Sequence, residues 1–384
     1  MCLERAGFRN IKLFEKATEL SEVGAGIQIG PNGARLLQQL GLREAIERWA
    51  VRTPGGSMMD GVSGSEICSY PLDDWAVERF GFPFYQLHRA DLQAVLAQAL
   101  EQRLPGVVEL GNPVVSVEQG DSNPQLVVSH GEARQADLVI GADGIHSAVR
   151  KACFDKADAS FTGRVAWRAV VPADAVADSE RGSARIWIGP GRHLVQYPVR
   201  RGGLLNLVAC VDTSVVVPER WHGTSDVEPL KRAFEGWCPR VQQLVGAMNG
   251  ALCWGLYERP PLQHMVYNRV ALLGDSAHAM LPSMAQGAVM AMEDAATLAG
   301  RLAAATDVKS ALLGYEADRQ ARNTRVQETA RQNMVFFHRR SGLSGDFQLS
   351  ILGRAGDMAE TLIGKRYAWV YGFNAGAALE SVTG

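Results

Sequence analysis

The chain has 384 residues, a formal net charge of −2 at pH 7, and 47% hydrophobic and 21% charged residues. That length can hold two domains with a substantial core, and the near-neutral charge argues against a general nucleic-acid binder, whose binding face would be basic. No apolar run approaches the roughly 18 residues of a membrane span, and the first residues lack the basic start and long apolar stretch of a signal peptide. We therefore expect a cytoplasmic protein with no membrane partner.

The six cysteines are scattered along the chain and form no Cys-x-x-Cys pair. This spacing excludes the common zinc and dithiol motifs and predicts free thiols in a reducing cytosol. No bound metal is expected. The cysteines are Cys2, Cys68, Cys153, Cys210, Cys238 and Cys253.

Two elements are predicted at the start of the chain. Residues 1–6 have the pattern of the last turns of a helix, with Gly7 just past its end, and residues 10–15 form a predicted strand that closes on Glu15. In a dinucleotide-binding βαβ unit, an acid that accepts from ribose hydroxyls lies about 20 residues after a glycine-rich loop. Counting back from Glu15 puts that loop upstream of Met1. We therefore expect a missing first strand and loop, either because the start is misplaced or because the chain is a truncated fragment.

A cluster of small residues precedes the next predicted helix, which begins near Pro31. Gly24, Gly26, Gly30 and Gly33 leave room for close contact with the backbone. A flexible loop is the alternative. Because a helix with Pro near its first turn follows, the pattern favours close approach of a ligand.

The middle of the chain alternates between strands and helices. Residues 54–85 are rich in glycine with short strand-like pieces, which predicts an excursion into a second sheet. A helix is predicted over residues 88–100, followed by two alternating strands that begin near Val114 and Leu126. The strand over residues 137–140 then leads into a turn.

That turn contains Asp143, which ends a strand predicted to enter the sheet. Ser147 is suitably placed to cap the helix that holds Arg150, because serine is a preferred residue at helix N-termini.

Residues 161–256 have mostly the pattern of strands, with one helix predicted over residues 229–248. His193, Val195 and Tyr197 share one face of a predicted strand, since strand side chains alternate. Taken alone, a histidine on a strand is more often structural than catalytic.

A strand-loop-helix unit spans residues 269–298. Residues 270–273 predict a buried strand. It stops at Gly274 and Asp275, where a small residue admits a ligand and a carboxylate can accept from hydroxyls. The helix that begins at Gly287 directs free N–H groups towards an anionic or electron-rich group. An ordinary strand-loop-helix with a solvated aspartate is the alternative.

Helices fill the remainder of the chain. In the helix after Gly287, apolar residues recur at three- and four-residue steps, which predicts that one stripe faces a core. These residues are Ala288, Ala291, Met292, Ala295, Leu298, Ala299 and Leu302. Further arginines follow, and a solvated helix face or an intersubunit contact explains them better than nucleic acid does. They are Arg319, Arg322, Arg325, Arg331, Arg339 and Arg340.

Two long motifs, in this order along the chain, resemble one protein family. The first, Asp137-Leu-Val-Ile-Gly-Ala-Asp-Gly-Ile-His-Ser-Ala-Val-Arg150, resembles the "DG" motif of single-component FAD-dependent aromatic hydroxylases. The second, Gly274-Asp-Ser-Ala-His278 with Pro282, Gln286-Gly-Ala288 and Glu293-Asp-Ala295, resembles their "GD" motif. The whole chain is similar to the branch that contains salicylate hydroxylase, 3-hydroxybenzoate 6-hydroxylase and 6-hydroxynicotinate 3-monooxygenase.

The resemblance implies an α/β fold. It comprises a Rossmann-like FAD-binding domain, with its first strand and glycine loop missing, an inserted mainly-β substrate domain and a helical C-terminal tail. The implied domains are residues 1–52, 89–157 and 264–309 for FAD, 53–88 and 158–263 for the substrate, and 310–384 for the C-terminal helices.

The resemblance also implies the site residues. FAD contacts are implied at Glu15, Arg35, Arg89, Asp143, Gly274, Asp275, Pro282, Gln286, Gly287 and Ala288. Gln28 falls where some relatives have a polar active-site residue. His193 and Tyr197 match an active-site histidine and tyrosine with the same spacing.

In the family, NADH or NADPH reduces FAD, and O2 adds to give a flavin hydroperoxide whose distal oxygen attacks an electron-rich ring. A phenolate reacts better than a phenol, so His193 is suited as a base near the hydroxyl, and Tyr197 would orient the ring. The sequence thus predicts hydroxylation of a small hydroxylated aromatic acid of the salicylate or 3-hydroxybenzoate type. A homodimer is compatible with this interpretation.

Several alternatives stay open at this point. The substrate could be of the hydroxynicotinate type, and either NADH or NADPH could be the reductant. A truncated fragment unable to hold FAD is a non-catalytic alternative. A flavin halogenase would need a lysine-bearing motif of its own, which the sequence does not contain.

Overall fold

The computed structural model describes residues 1–20, 25–119, 123–129, 131–175, 182, 184–218, 226–338, 366–377 and 379. Gly24, Arg339 and Arg340, named above, lie outside these ranges. Within them, no helix has the length and apolar character needed to cross a bilayer. All six cysteines are free thiols, as predicted.

Strands and helices occur throughout the described chain. The strands are β1 (Leu13–Phe14), β2 (Gly26–Ile29), β3 (Val51–Arg52), β4 (Gly55–Asp60), β5 (Glu66–Pro71), β6 (Tyr85–His88), β7 (Val108–Glu109), β8 (Val114–Gln119), β9 (Pro124–Val128), β10 (Ala133–Gln135), β11 (Val139–Gly141), β12 (Ser160–Pro172), β13 (Ala184–Gly189), β14 (Arg192–Val199), β15 (Leu204–Asp212), β16 (Leu252–Glu258), β17 (Val266–Tyr267) and β18 (Val270–Leu272). The helices are α1 (Cys2–Arg5), α2 (Pro31–Gln39), α3 (Arg43–Glu47), α4 (Asp73–Phe80), α5 (Arg89–Arg103), α6 (Ala148–Cys153), α7 (Glu228–Ala233), α8 (Pro239–Ala247), α9 (Asp275–His278), α10 (Gly287–Ala304) and α11 (Val308–Phe337). Residues 366–371 form another short helix.

The largest sheet has seven strands in the order β16-β12-β15-β14-β13-β4-β5. The excursion predicted over residues 54–85 is confirmed, because β4 and β5 belong to this sheet. The smaller sheets of the described chain are β2-β6-β3, β10-β9-β8, β11-β18-β17 and β1-β7. In them, β1 runs parallel to β7 and β11 parallel to β18, so the architecture is α/β.

Both faces of the seven-stranded sheet are covered. On one face Trp167, Leu194 and Leu207 pack against α7 and α8. On the other face Ala166 and Cys210 pack against α11 and the segment that follows α9. Successive strand residues point to opposite faces of a sheet. The residues that alternate with Trp167, Leu194 and Leu207 along their strands therefore point towards α11.

The single helix predicted over residues 229–248 is wrong, since the structure has two helices there. The chain leaves α7 after Ala233, turns through Gly236 with φ +79°, and enters α8 at Pro239. Proline lacks the N–H that an interior helical position needs but suits the first position of a new helix.

The apolar stripe predicted on α10 is only partly correct. Leu298 and Ala299 are buried, whereas the residues predicted before them are half-buried. In the first half of the helix the buried residues include Val289, Glu293 and Asp294. The buried face therefore carries two acidic side chains, which a hydrophobic pattern cannot reveal.

The small residues before α2 make room for protein side chains. A Cβ on Gly26 would lie 2.6 Å from atoms of Tyr197 and Asn206, and one on Gly30 would lie 2.9 Å from the ring of Tyr371. The ligand approach expected from this cluster is therefore corrected at these two positions, because other parts of the same chain make the close contacts.

Candidate active site

The turn after β18 holds the Gly-Asp pair of the second motif. Gly274 has φ +60°, and a Cβ there would lie 3.0 Å from the Cβ of Ala291, so both the backbone and the neighbouring helix require glycine. The Gly274 N–H donates to Asp294 Oδ2 over 2.9 Å. The turn is thereby fixed against α10 and presents Asp275 at the start of α9.

Asp275 has an exposed side chain. Its carboxylate accepts no hydrogen bond from any residue in the described ranges. The protein that surrounds it raises its pKa, against the opposing effects of His278 and Arg89 nearby. A carboxylate without a protein donor is suited to accept from the hydroxyls of a ligand.

Arg150 joins the turn after β11 to the turn after β18. Its side chain is only 2% exposed, and Nη1 donates to the carbonyls of Ser276 and Ala277 at 3.2 and 3.3 Å. Ser276 Oγ in turn donates to the Gly141 carbonyl at 2.6 Å. The two sequence motifs thus form one connected edge at the carboxyl ends of two parallel strands, where α/β folds bind ligands.

Asp143 organises its own turn. Its carboxylate accepts from Ser147 Oγ at 2.5 Å and from the Val149 N–H at 3.1 Å. Ser147 Oγ accepts from the Arg150 N–H at 2.9 Å, so the predicted helix cap is confirmed. A contact between Asp143 and a cofactor stays a prediction.

The start of α10 is the second feature of this edge. Gln286, which is 2% exposed, accepts from Asn32 Nδ2 at 3.0 Å, just after a 3₁₀ turn that begins at Pro282. Gly287 and Ala288 then open a helix of 18 residues whose first N–H groups have no side-chain cap. Such an N-terminus attracts partial negative charge.

A buried ionic cluster, comprising Glu293, Asp294, Arg319, Arg322 and His278, supports α10. Arg319 donates to Glu293 Oε2 and Asp294 Oδ1, both at 2.8 Å, and Arg322 donates to Glu293 Oε2 at 2.7 Å. His278 Nε2 lies 2.5 Å from Asp294 Oδ2. Burial alone would raise the pKa of Asp294, but His278 and Arg319 outweigh it and lower that pKa.

The cluster corrects one expectation about the arginines of the tail. Arg319 is fully buried and Arg322 is 9% exposed, so the solvated helix face predicted for them is wrong. Their acidic partners are on α10, which the sequence pattern of α11 by itself does not indicate.

The opposite side of the site is the cleft face, the face of the seven-stranded sheet turned away from α7 and α8. Its residues are Ala166, Arg168 and Val170 on β12, Asn206, Val208 and Cys210 on β15, and His193, Val195 and Tyr197 on β14. Arg168 pairs in register with Val208, and Val208 with Val195. Two strand spacings, about 10 Å, therefore separate the Arg168 backbone from the strand that carries His193 and Tyr197.

Arg168 is a half-buried cation without an anionic partner among the described residues. Its guanidinium lies 4.7 Å from the ring centroid of Trp254, its Nε is buried with no hydrogen-bond partner, and no carboxylate in the described ranges pairs with it. Burial lowers its pKa, with smaller opposing effects from Tyr197 and Cys210, yet arginine keeps its proton in proteins. A charge that the protein partly buries without compensating it is costly, which favours an anionic ligand at this position.

His193 and Tyr197 are both buried on the cleft face. The pKa of His193 lies well below its usual value because of burial and, next, the neighbouring His338 and Arg164. Burial raises the pKa of Tyr197, opposed by the charge of Arg168 and the amide of Asn206. At neutral pH the histidine is therefore a neutral base and the tyrosine a neutral hydroxyl donor.

Comparison with known proteins relates this geometry to a family. A family model described as FAD binding domain matches residues 1–330. The chain belongs to this FAD-binding family.

Among its relatives, 3-amino-4-hydroxybenzoate 2-monooxygenase of Streptomyces platensis is 36% identical over 375 residues, 97% of this chain and 92% of the relative. The 3-hydroxybenzoate 6-hydroxylase 1 of Aquipseudomonas alcaligenes is 35% identical over 96% of this chain and 93% of the relative. A salicylate hydroxylase substrate complex superposes with a TM-score of 0.80 at 25% identity, covering 99% of this chain and 95% of that chain. The protein is an FAD-dependent aromatic monooxygenase, and the predicted α/β fold class is confirmed.

The residues of this flavoenzyme fit its cofactor. The unpartnered Asp275 carboxylate and the uncapped N-terminus of α10 are complementary to ligand hydroxyls and to an electron-rich ring, respectively. Arg89, which begins α5, is close enough to Asp275 for its charge to act on that carboxyl. The structure thus brings Arg89 together with the Gly-Asp turn.

Other residues predicted for the flavoenzyme's site lie on or next to β1, β2 and α2. Glu15 directly follows β1 and accepts from the Ala17 N–H at 2.8 Å. Arg35 lies 4.9 Å from the ring centroid of Phe82, and Gln28 is half-buried on β2. Their contacts with FAD or substrate stay predictions.

Sequence reasoning missed three candidate functional residues, Arg168, Arg150 and His338. A signal for Arg168 existed, because an arginine inside the apolar strand pattern of residues 165–171 implies a buried charge. His338 gave no signal, since its importance comes from a contact with a residue 145 positions away.

Proposed function

We propose that this enzyme hydroxylates a small aromatic acid that carries a ring hydroxyl, of the salicylate or 3-hydroxybenzoate type. The unpaired guanidinium of Arg168 carries the proposal. The names of the relatives support it, because they describe hydroxylases of hydroxybenzoates.

Arg168 is proposed to bind the substrate carboxylate. The guanidinium offers donors in a planar fork that matches a carboxylate, and Trp254 beneath it holds the group in one orientation. Since the Arg168 backbone is two strands from β14, a benzoate-sized ring can extend from the guanidinium towards His193 and Tyr197.

His193 is proposed to take the proton of the ring hydroxyl. Its lowered pKa keeps it neutral, and therefore able to accept, at the pH of the cell. Tyr197 keeps its proton, because burial raises its pKa, and so can donate to the substrate and orient its ring.

The FAD-binding residues are proposed to be those of the connected edge, together with Glu15 and Arg35. Asp275 would accept from hydroxyls of the cofactor, and the first N–H groups of α10, at Gly287 and Ala288, would face its electron-rich ring. FAD, when bound and reduced by NADH or NADPH, supplies the activation of O2. The domain limits given above, a role for Gln28 at the substrate and a homodimer belong to the same proposal.

A hydroxynicotinate-type substrate is the second candidate. A 6-hydroxynicotinate 3-monooxygenase is also among the relatives, at 34% identity over 86% of this chain. Such a substrate also carries the carboxylate that Arg168 would bind. The two substrate types therefore differ in their ring, a benzene or a pyridine, and not in their anionic group.

The test uses purified protein with its flavin, scored by an absorption spectrum. A panel of salicylate, 3-hydroxybenzoate, 3-amino-4-hydroxybenzoate and 6-hydroxynicotinate is assayed for product and for stimulated NAD(P)H oxidation. Each acid is compared with its carboxamide. We expect hydroxylation of at least one acid and weak activity with its amide. A protein without flavin, or equal activity with acid and amide, would overturn the proposal.

A further inference from the structure

Three ionisable side chains form a continuous hydrogen-bonded line that starts at His193. His193 Nδ1 lies 2.7 Å from His338 Nε2, and His338 Nδ1 lies 2.7 Å from Asp212 Oδ1. The His193 side chain is deeply buried, whereas the Asp212 side chain is 45% exposed. The line therefore leads from the interior of the cleft face to water.

Three separate elements hold this line in position. His193 is on β14, opposite Cys210 of β15, and Asp212 follows two residues later on β15. His338 caps the end of α11, and its carbonyl accepts from the Gly191 N–H at 3.1 Å. The ring of Phe337 packs against His193 at 5.2 Å between centroids. The end of α11 is thus anchored at the start of β14.

The hydrogen bonds determine which nitrogen of each ring carries the proton. The Asp212 carboxylate is ionised and can only accept, so His338 Nδ1 must be the donor. A neutral His338 then has a lone pair at Nε2, and His193 must donate to it through Nδ1. His193 Nε2 is left with a lone pair and, among the described residues, with no hydrogen-bond partner. That lone pair is what a base needs.

The charges favour movement of a proton outward along the line. The pKa of His193 lies well below its usual value, through burial and then His338 and Arg164, so this ring accepts a proton but does not retain it. Burial by itself would raise the pKa of Asp212, but His338 and Arg164 outweigh it and lower that pKa. A carboxylate that stays ionised stabilises positive charge on the adjacent His338 ring.

We propose that His193, His338 and Asp212 form a proton relay that carries the proton of the bound substrate hydroxyl to solvent. This inference rests on the proposed role of His193. The substrate O–H bond breaks and its proton joins His193 Nε2, while the Nδ1 proton of His193 passes to His338 Nε2. The Nδ1 proton of His338 passes to Asp212 and from there to water. No electrons are transferred, and the reverse passage of one proton, when a product oxygen is reprotonated, resets both rings.

The decisive variant is His338→Gln, because a glutamine side chain can hydrogen bond to a neighbour but cannot pass a proton through itself. A hydroxyaromatic acid accepted by the wild type is mixed with oxidised holoenzyme in a stopped-flow instrument, and its absorbance reports conversion to the phenolate. We expect phenolate formation to slow by about 10- to 100-fold in His338→Gln, at the lower end of general acid–base effects, with unchanged FAD content. His264→Gln, which alters an exposed histidine off the line, should form phenolate at the wild-type rate.

A second variant guards against a merely structural effect. In His338→Ala, added imidazole should restore the rate, because a diffusible base can replace the missing ring. Wild-type rates in His338→Gln, or a slow His338→Ala that imidazole does not rescue, would overturn the relay. If His193→Ala also forms phenolate at the wild-type rate, the proposed role of His193 fails. If only His193→Ala is slow, the proposed function stands and the relay is wrong.

Discussion

Two regions of the molecule treat charge in opposite ways. Beneath α10, Glu293 and Asp294 each meet a guanidinium within 2.8 Å, so the charges compensate one another. On the cleft face, Arg168 meets an indole ring and no carboxylate of the described chain. Compensated charge fixes the framework of the protein, whereas an uncompensated charge is available to a ligand. The following predictions test this difference.

The largest effect on stability is expected when a buried carboxylate loses the arginine that neutralises it. In Arg319→Met, both buried carboxylates lose a partner, so the free energy of unfolding of the holoenzyme should fall by about 3–5 kcal/mol in denaturant melts. The matched control is Arg301→Met, which breaks an exposed pair with Asp318 between the same two helices and should cost less than about 1 kcal/mol. Equal losses in the two variants would contradict the distinction.

His193→Ala tests the chemistry of the cleft face. We expect FAD to stay bound while hydroxylation slows by about 10²-fold or more, because a positioned base is lost, and the reaction to shift from product towards H2O2. The measurements are flavin absorbance, and product formed per NAD(P)H oxidised. Unchanged turnover and coupling would assign His193 a structural role.

Arg168→Met tests the uncompensated charge, and its effect on stability should differ in sign from that of Arg319→Met. The KM for the aromatic acid should rise by about 10- to 100-fold, since charge-assisted hydrogen bonds contribute about 1.5–3 kcal/mol. The free energy of unfolding should be unchanged or higher, because an unpaired and partly buried cation is removed. A loss of stability as large as that of Arg319→Met would mean that Arg168 has a structural partner.

Asp275→Asn should give the smallest effect, on the cofactor. A neutral amide accepts more weakly than a carboxylate, so the FAD dissociation constant should rise about tenfold, or ~1.4 kcal/mol. In the absence of flavin, Asp275→Asn should be more stable than the wild type at neutral pH. The surrounding protein partly desolvates the Asp275 carboxyl and raises its pKa in the folded state, so the wild type loses stability as the pH rises above about 4.

Melting temperatures of flavin-free wild type and Asp275→Asn measured between pH 4 and 7 check this sign. The two should converge at the low end and separate in favour of the variant at the high end. An FAD dissociation constant identical to that of the wild type would remove Asp275 from the cofactor site.

Local chemistry explains what the sequence could predict. The strands over residues 161–212 follow from alternation, and the Ser147 cap from the preference of serine for helix N-termini. The two motifs predicted the Gly274 and Asp275 turn. None of these features depends on a distant part of the chain.

The features that the sequence could not predict are side-chain contacts between residues far apart in the chain. Arg319 and Arg322 have the spacing of a solvated face, and only the packing of α10 against α11 reveals that Glu293 compensates them. The spacing from Tyr197 indicates His193, but the tautomer of His193 depends on His338, which the fold brings to it from the end of α11. Such pairings have no local signal.

The contacts of the Arg322 side chain also affect the order in which parts of this protein fold. It joins Glu293 to the carbonyls of Trp369 and Val370, while Asn32 reaches the same Glu293 from α2 at 2.8 Å. Contacts that connect residue 32 to residue 370 form only after almost all of the chain has left the ribosome, and they carry a large loop-closure cost. The packing of α10 against α2 and the C-terminal segment is therefore completed late in folding.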